Sequence, residues 1–202
     1  MSMVHIVDDD ESVRLALDSL FRSVGLATSL YGTAKDFLKA DLAQGPSCLV
    51  LDVRLPGQSG LDFQQQLVET GIHIPVVMMT GHGDIPMSVR AMKAGAVDFL
   101  AKPFRDQEML DAVTAAIARD EARRASAKDE TELRARFETL SPRERQVMAL
   151  VTAGRMNKQV AGELNLSEIT VKIHRGSAMR KMGARTLADL VRMAEALHLP
   201  QQ

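Results

Sequence analysis

The sequence predicts an α/β module, a doubly wound five-stranded parallel sheet, joined by a helical linker to an all-α module of four helices. Three observations predict it. Short apolar runs alternate with amphipathic ones over residues 1 to 125, the stretch from Phe104 to Ser141 holds neither Gly nor Pro, and helical periodicity with turn residues fills the remainder. With 202 residues the chain suits one large domain or two small ones, each able to bury a core.

The strand candidates are Val4–Val7, Thr28–Tyr31, Cys48–Val53, Val76–Thr80 and Asp98–Ala101. The first, third and fourth are almost wholly apolar, as the middle of a sheet covered on both faces requires. Helices are predicted over Ser12–Val24, Ala34–Leu42, Leu61–Thr70, Met87–Ala94 and from Asp106 onward; Val13, Leu17, Leu20 and Phe21 line one face of the first. Met109, Leu110, Val113 and Ile117 close the fifth onto the sheet. From Arg119 to Glu138 only Leu133 and Phe137 are large and apolar. Glu130 with Arg134 and Glu132 with Arg136 stand in the favourable i,i+4 order, so a solvent-exposed helical linker is expected. No a/d seam is sustained, which argues against a coiled coil.

Charge divides the chain in the same way. Residues 1 to 118 carry 9 Lys and Arg against 15 Asp and Glu, residues 119 to 140 carry 6 against 6, and residues 141 to 202 carry 10 against 5. The acidic half and the basic end point to a nucleic-acid-facing module at the C-terminus. No apolar run approaches membrane-spanning length and no leader pattern opens the chain, so a soluble, cytoplasmic protein without membrane contact is expected. The single Cys48 is expected to pack as a small core residue.

In an open α/β sheet, ligands bind beyond the carboxyl ends of the strands. Those ends carry Asp8 and Asp9, Asp52, Thr80 and Lys102. Taken singly each has a plain explanation: helix capping for Asp8 and Asp9, an Asx turn for Asp52, a solvated lysine for Lys102. Their joint placement argues for a site. Three neighbouring carboxylates ask for a hard divalent cation, and an oxygen shell that retains waters suits Mg²⁺. With a lysine beside it, Asp52 is a nucleophile for phosphoryl transfer. Arg54 lies two residues on, where haloacid-dehalogenase-type phosphatases place an aspartate as general acid. An arginine cannot shuttle a proton, so an acceptor rather than an enzyme is expected.

The segments VDDD, LDVRLPGQSG, MMTGHGD and DFLAKPF resemble the receiver domain of bacterial response regulators, and the run from Val76 to Phe104 resembles the FixJ subgroup in particular. The resemblance implies that Asp52 accepts a phosphoryl group from a cognate sensor histidine kinase. It implies that Asp9, Asp52 and the main-chain carbonyl of Arg54 hold Mg²⁺, with Asp8 acting through water. Thr80 and Lys102 would bind the phosphoryl oxygens, and Phe99, where many relatives carry Tyr, would swing inward as Thr80 moves. It implies a cis Lys102–Pro103 bond, and dimerisation on phosphorylation through the fourth helix, fifth strand and fifth helix, Met87 to Ile117.

At the C-terminus, Ser141-Pro-Arg-Glu is an N-cap, a helical first-turn proline and a capping-box acid. That helix runs to Thr152 and stops at Gly154. Further helices are predicted over Asn157–Leu164, Glu168–Met182 and Thr186–Leu197. Asn165 to Ser167 make a tight turn, and Val160, Ala161 and Leu164 face Leu166 and Val171, so the middle pair forms a helix-turn-helix. The helix after the turn carries Lys172, His174, Arg175, Arg180 and Lys181, a basic surface suited to the DNA major groove.

LSPRERQVM, GRMNKQVAGELNLSEITVKIH and MRKMGARTLADLV are similar to the LuxR-type four-helix DNA-binding domain. This implies a structural role for Glu144, phosphate contacts from Lys158, Thr170 and Lys181, and a base-facing surface of Lys172, Ile173, Arg175 and Gly176. Two departures stand out. Met156 replaces the small polar residue usual before Asn157-Lys158, and Gly176 sits mid-helix where some relatives carry a long side chain. Packing against the neighbouring helix is the favoured reason for the glycine, close approach of another backbone the other. The expected domains are a receiver over 1–120, a linker over 121–137 and a DNA-binding domain over 138–202. The expected function is a transcription regulator that binds double-stranded promoter DNA and dimerises when phosphorylated, with RNA polymerase among the partners implied. The rival is a phosphorylation-independent DNA-binding scaffold.

Overall fold

The structure, a computed structural model, describes residues 2–42, 45–81 and 85–199. The chain divides into two compact units, Met1–Arg124 and Ala125–Gln202. In the first, the elements run β1 (Met3–Val7), α1 (Glu11–Ser23), β2 (Ala27–Tyr31), α2 (Ala34–Lys39), β3 (Ser47–Asp52), β4 (Arg54–Leu55), β5 (Gln58–Ser59), α3 (Gly60–Glu69), β6 (Val76–Thr80), α4 (Ile85–Lys93), β7 (Asp98–Ala101) and α5 (Asp106–Glu138), the last continuing into the second unit. The main sheet has the order β2-β1-β3-β6-β7, every pairing parallel. This is the doubly wound sheet the alternation predicts.

β3 and β6 are buried at every position, because successive side chains enter opposite core layers. Val50, with Ile6, Phe21, Met79 and Val113, fills the layer beneath α1 and α5. Leu51, with Phe37, Phe63, Leu67 and Met78, fills the layer beneath α2 to α4. Cys48 is fully buried, and burial raises its thiol to about 12, as a packed and inert cysteine should be.

Several boundaries move from their predicted places for local reasons. α1 starts one residue earlier because Asp10 is its N-cap, its carboxylate accepting from the Ser12 and Val13 amides. α4 starts at Ile85, two residues before its prediction, which places Pro86 inside the first turn where its missing N–H costs nothing. β3 ends at Asp52, and the Pro56-Gly57 turn joins a two-residue antiparallel ribbon, β4 with β5, too short for any periodicity to announce. Gly60 then begins α3 against the strand end, its N–H bonded to the Val53 carbonyl at 2.8 Å; a side chain there would run into the Asp52 carbonyl. His82 to Asp84 of the MMTGHGD segment lie outside the described residues.

The second unit holds the end of α5, then α6 (Pro142–Thr152), α7 (Asn157–Leu164), α8 (Glu168–Met182) and α9 (Leu187–Ala196). Val147, Met148, Val160, Val171, Met182 and Leu190 form its core, and Leu133 and Phe137 of α5 pack against it. The Arg145 guanidinium lies 5.1 Å from the Phe137 ring and donates to the Leu140 and Glu138 carbonyls. Of the predicted helix pairs Glu130–Arg134 forms, at 3.6 Å. Arg136 instead donates to the Met182 carbonyl, and Glu132 pairs with Lys128.

Candidate functional site

The strand ends bring Asp8, Asp52 and Lys102 into direct contact. Asp52 is the last residue of β3 and 5% exposed; Asp8 follows β1 and is 1% exposed. The Lys102 ammonium bridges them, 2.7 Å from Asp8 Oδ2 and 2.9 Å from Asp52 Oδ1. Its position follows from β7, since the Lys102 amide donates to the Thr80 carbonyl at 2.7 Å and continues the β6–β7 ladder past its last pair. The Lys102–Pro103 bond is cis. Thr80, the last residue of β6, is fully buried. Phe99 on β7 is half-buried against the core layer of Phe37 and Phe63.

The other carboxylate oxygens are held by main chain. Asp52 Oδ2 accepts from the Arg54 amide at 2.5 Å, and Asp8 Oδ1 from the Asp10 amide at 2.8 Å. Arg14 of α1 clasps the same loop, donating to the carbonyls of Asp8 at 2.7 Å and Asp9 at 3.0 Å. Asp9 itself is exposed. Burial raises the Asp52 carboxyl above its ordinary value, opposed by the Lys102 and Arg54 hydrogen bonds. Burial works against the Lys102 ammonium too, but its bonds to Asp52 and Asp8 outweigh that and raise it.

Two buried carboxylates against one ammonium leave an uncompensated negative charge, which suits a further cation. Among the described residues no three Asp, Glu, His or Cys side chains form a metal-enclosing group. A cation here would therefore draw on carboxylates, main-chain carbonyl and water. That mixed oxygen shell fits Mg²⁺, which keeps several waters, better than ions that need a full protein cage.

In the second unit α7 and α8 meet across Asn165, a left-handed residue that ends α7, and Leu166. Ser167 caps α8 by accepting from the Thr170 amide, and its hydroxyl also meets the Thr170 hydroxyl at 2.8 Å. Lys158, Lys172, Ile173 and Arg180 are exposed; His174, Arg175 and Gly176 are half-buried. Arg175 reaches back to Asn157 Oδ1 at 3.3 Å. Lys181 is engaged within its own unit, donating to Glu144 Oε2 at 2.7 Å and the Thr139 carbonyl at 3.2 Å. Two of its three donors are thus used. Glu144 also accepts from Ser177 and the Ser141 amide.

The two sequence departures resolve differently. Met156 cannot accept a cap hydrogen bond, and Gln159 supplies the reciprocal arm alone, accepting from the Met156 amide at 2.8 Å. Gly176 is not explained by helix packing: a Cβ there would meet only the Arg180 guanidinium, at an ordinary 3.8 Å. The favoured packing reason is therefore corrected.

Residues 4–114 match the response regulator receiver domain family, and residues 138–194 the bacterial regulatory proteins of the luxR family. Nodulation protein W of Bradyrhizobium diazoefficiens is 60% identical, the match covering 97% of this chain and 86% of that one. The transcriptional regulatory protein FixJ of Rhizobium meliloti is 45% identical over 96% and 95%. The chain is a two-component response regulator. Among solved structures, that of the response regulator StyR superposes with a TM-score of 0.85 at 46% identity, covering 96% of this chain and 98% of that one.

This response regulator thus pairs a receiver with a LuxR-type DNA-binding domain, and receivers generally use Mg²⁺ in phosphorylation. Among the described residues no helix is long and apolar enough to cross a membrane. Sequence reasoning missed two polar anchors of the regulator. Arg14 falls inside the helix predicted over Ser12–Val24, and a cation one turn into the helix after VDDD is the signal that marks it. Asp120 is fully buried on α5, accepting from the Ser47 amide at 3.0 Å and from Arg123 and Arg124. It ties α5 to the start of β3.

Proposed function

We propose that Asp52 of this regulator accepts a phosphoryl group from a sensor histidine kinase and that the modification promotes dimerisation and binding to promoter DNA. The observation that carries this reading is the Lys102 ammonium between two buried carboxylates at the carboxyl ends of β1 and β3. An Asp52 oxygen attacks the phosphorus, an O–P bond forms, and the P–N bond to the donor imidazole breaks. Lys102 then takes a phosphoryl oxygen in place of a carboxylate, and the buried Thr80 lies at the strand end to bind another. Asp9, Asp52 and the Arg54 carbonyl would hold Mg²⁺, with Asp8 acting through water, and the chemistry supplied there would be neutralisation of charge on the transferring group. Arg54 in place of an acid leaves no general acid at that position to assist hydrolysis.

The domains assigned are the receiver over 1–120, a linker over 121–137 and the DNA-binding domain over 138–202, in a cytoplasmic protein. Dimerisation is assigned to Met87–Ile117, with Phe99 following Thr80. On DNA, Lys172, Ile173, Arg175 and Gly176 face bases, flanked by His174 and Arg180. Lys158 and Thr170 contact phosphates, joined by the remaining donor of Lys181. RNA polymerase is a further partner of the bound dimer.

Incubation with Mg²⁺ and acetyl phosphate, followed by intact mass measurement, tests the mechanism. Wild type should gain one phosphoryl group and Asp52→Asn, which keeps the shape and loses the nucleophile, none. Equal labelling of the variant would move the acceptor elsewhere. No labelling of wild type, with DNA binding intact, would favour the phosphorylation-independent scaffold.

A further inference from the structure

The helix α8 carries apolar side chains on two opposite sides. Toward the core it buries Val171, Ala178 and Met182. At about 100° per residue, the other side carries Ile169, Lys172, Ile173, Gly176 and Arg180. On it Ile169 is 72% and Ile173 63% exposed. The two isoleucines stand at i,i+4, one above the other on the solvated face. The helix itself does not explain them, because a β-branched side chain favours helix less than Ala, Lys or Arg and one this exposed gains little from burial. Single exposed apolar residues are ordinary on a protein surface; this pair shares its face with two cations.

Those cations restrict what can cover the face. Lys172 stands between the isoleucines in sequence and Arg180 follows on the same stripe, both exposed. A second copy of this chain docked face to face about a two-fold axis would gather Lys172 and Arg180 of both copies into one interface, and the stripe carries no acid to answer them. Duplex DNA meets both demands. Phosphates flank the major groove for the cations, and on its floor thymine presents a 5-methyl group to an apolar side chain. Ile169 is the second residue of α8, in the N-terminal turn with which a recognition helix approaches base edges. It extends the surface of Lys172 and Ile173 by one helical turn.

We propose that Ile169 is a specificity-determining residue which, together with Ile173, reads thymine methyl groups in the major groove. The inference rests on the reading of α8 as the DNA-contacting helix and names the base that this face selects. The contact is apolar and carries no hydrogen bond, so it recognises thymine by its methyl group alone. Four helix residues span about 6 Å and one base step about 3.4 Å. The two methyl groups therefore belong to base pairs no more than about two steps apart.

In the test, the full chain treated with acetyl phosphate and Mg²⁺ selects duplexes from a random-sequence DNA pool, and each thymine of the enriched duplex is then replaced in turn by deoxyuridine. That change removes the 5-methyl group and keeps every hydrogen-bonding group. Replacement at two positions, no more than about two steps apart, should each weaken wild-type binding about fourfold, the loss of one buried methyl. Ile169→Ala and Ile173→Ala, exposed substitutions to a better helix former, should each abolish the penalty at one of these positions and leave the other. Penalties absent at every thymine, or undiminished in both variants, would overturn the inference while leaving DNA binding in place. A pool that yields no enriched duplex would refute the DNA-binding reading and the inference with it. Sedimentation of the DNA-free protein covers the other occupant: a dimer that is lost in Ile169→Ala would make this face a contact between copies and overturn the inference.

Discussion

Glu144 offers the sharpest test of how the DNA-binding unit is held together. It is 6% exposed and accepts from three donors: Lys181 and Ser177 of α8 at 2.7 and 2.6 Å, and the Ser141 amide before α6 at 2.7 Å. The Lys181 bond first, then that of Ser177, hold its carboxyl down from 4.5 to about 2, against a burial effect in the other direction. At about 1.4 kcal/mol per tenfold change in proton affinity, the ceiling is about 3 kcal/mol. The Lys181 side chain is 39% exposed, and solvent screening reduces the expected value to about 2 kcal/mol. A depressed carboxyl stabilises the fold above its unfolded-state value and loses that stabilisation as pH falls through the folded one. The window is therefore from about 4.5 down to about 2. Wild type and Glu144→Gln should be compared by urea unfolding of the full chain, followed at the buried methyl groups of Val147 and Val171. The gap should be about 2 kcal/mol at neutral pH, and more than half of it should be gone by about pH 3. A gap that is absent at pH 7, or that stays constant across this range, would refute the ionic account of the network.

Three further outcomes follow from the geometry. Asp120→Ala leaves the Ser47 amide without its acceptor and should destabilise the receiver by about 2 kcal/mol in urea unfolding; a loss below about 0.5 kcal/mol would mean the anchor carries nothing. Gly176→Ala should raise the stability of the DNA-binding unit by up to about 1 kcal/mol, because the new Cβ meets only Arg180 and alanine favours helix; a thermal midpoint that falls instead contradicts the open space. Lys172→Ala should lower the ratio of specific to non-specific DNA affinity, while Lys158→Ala should weaken both and reduce the salt slope by about 1; identical ratios in the two variants would erase the proposed division of roles.

The main sheet was legible because period and composition agree: β3 and β6 are apolar at nearly every position and buried at every one. The candidate site was legible for a related reason. In a doubly wound sheet, topology alone decides that residues after β1, β3, β6 and β7 share one edge. Asp8, Asp52 and Lys102 could thus be grouped across intervals of 50 and 94 residues without any local signal linking them. The β4–β5 ribbon had no such help. At two residues per strand, its Pro56-Gly57 turn announces a reversal but no pairing.

Charges on helices obey a different logic, and there the sequence was weakest. A helix offers every direction within one turn, so a basic residue on α8 reads the same whether it faces a phosphate or a neighbouring acid. Lys181 illustrates this: its commitment to Glu144 depends on how α6 and α8 pack, and Glu144 lies 37 residues upstream. Asp120 looks like one more acid in a mixed-charge run, yet its acceptor role is set by Ser47, 73 residues away. Gln64 lies within a run of three glutamines of which Gln65 pairs with Glu69 and Gln66 with Gln58. Only its spacing from Leu67, three positions on the same face as Phe63, marks it as the inward one. Periodicity could therefore have located the buried amide. It could not have shown that one end is satisfied by Ala94 and the other is not, because that asymmetry arises where α3 meets the end of α4.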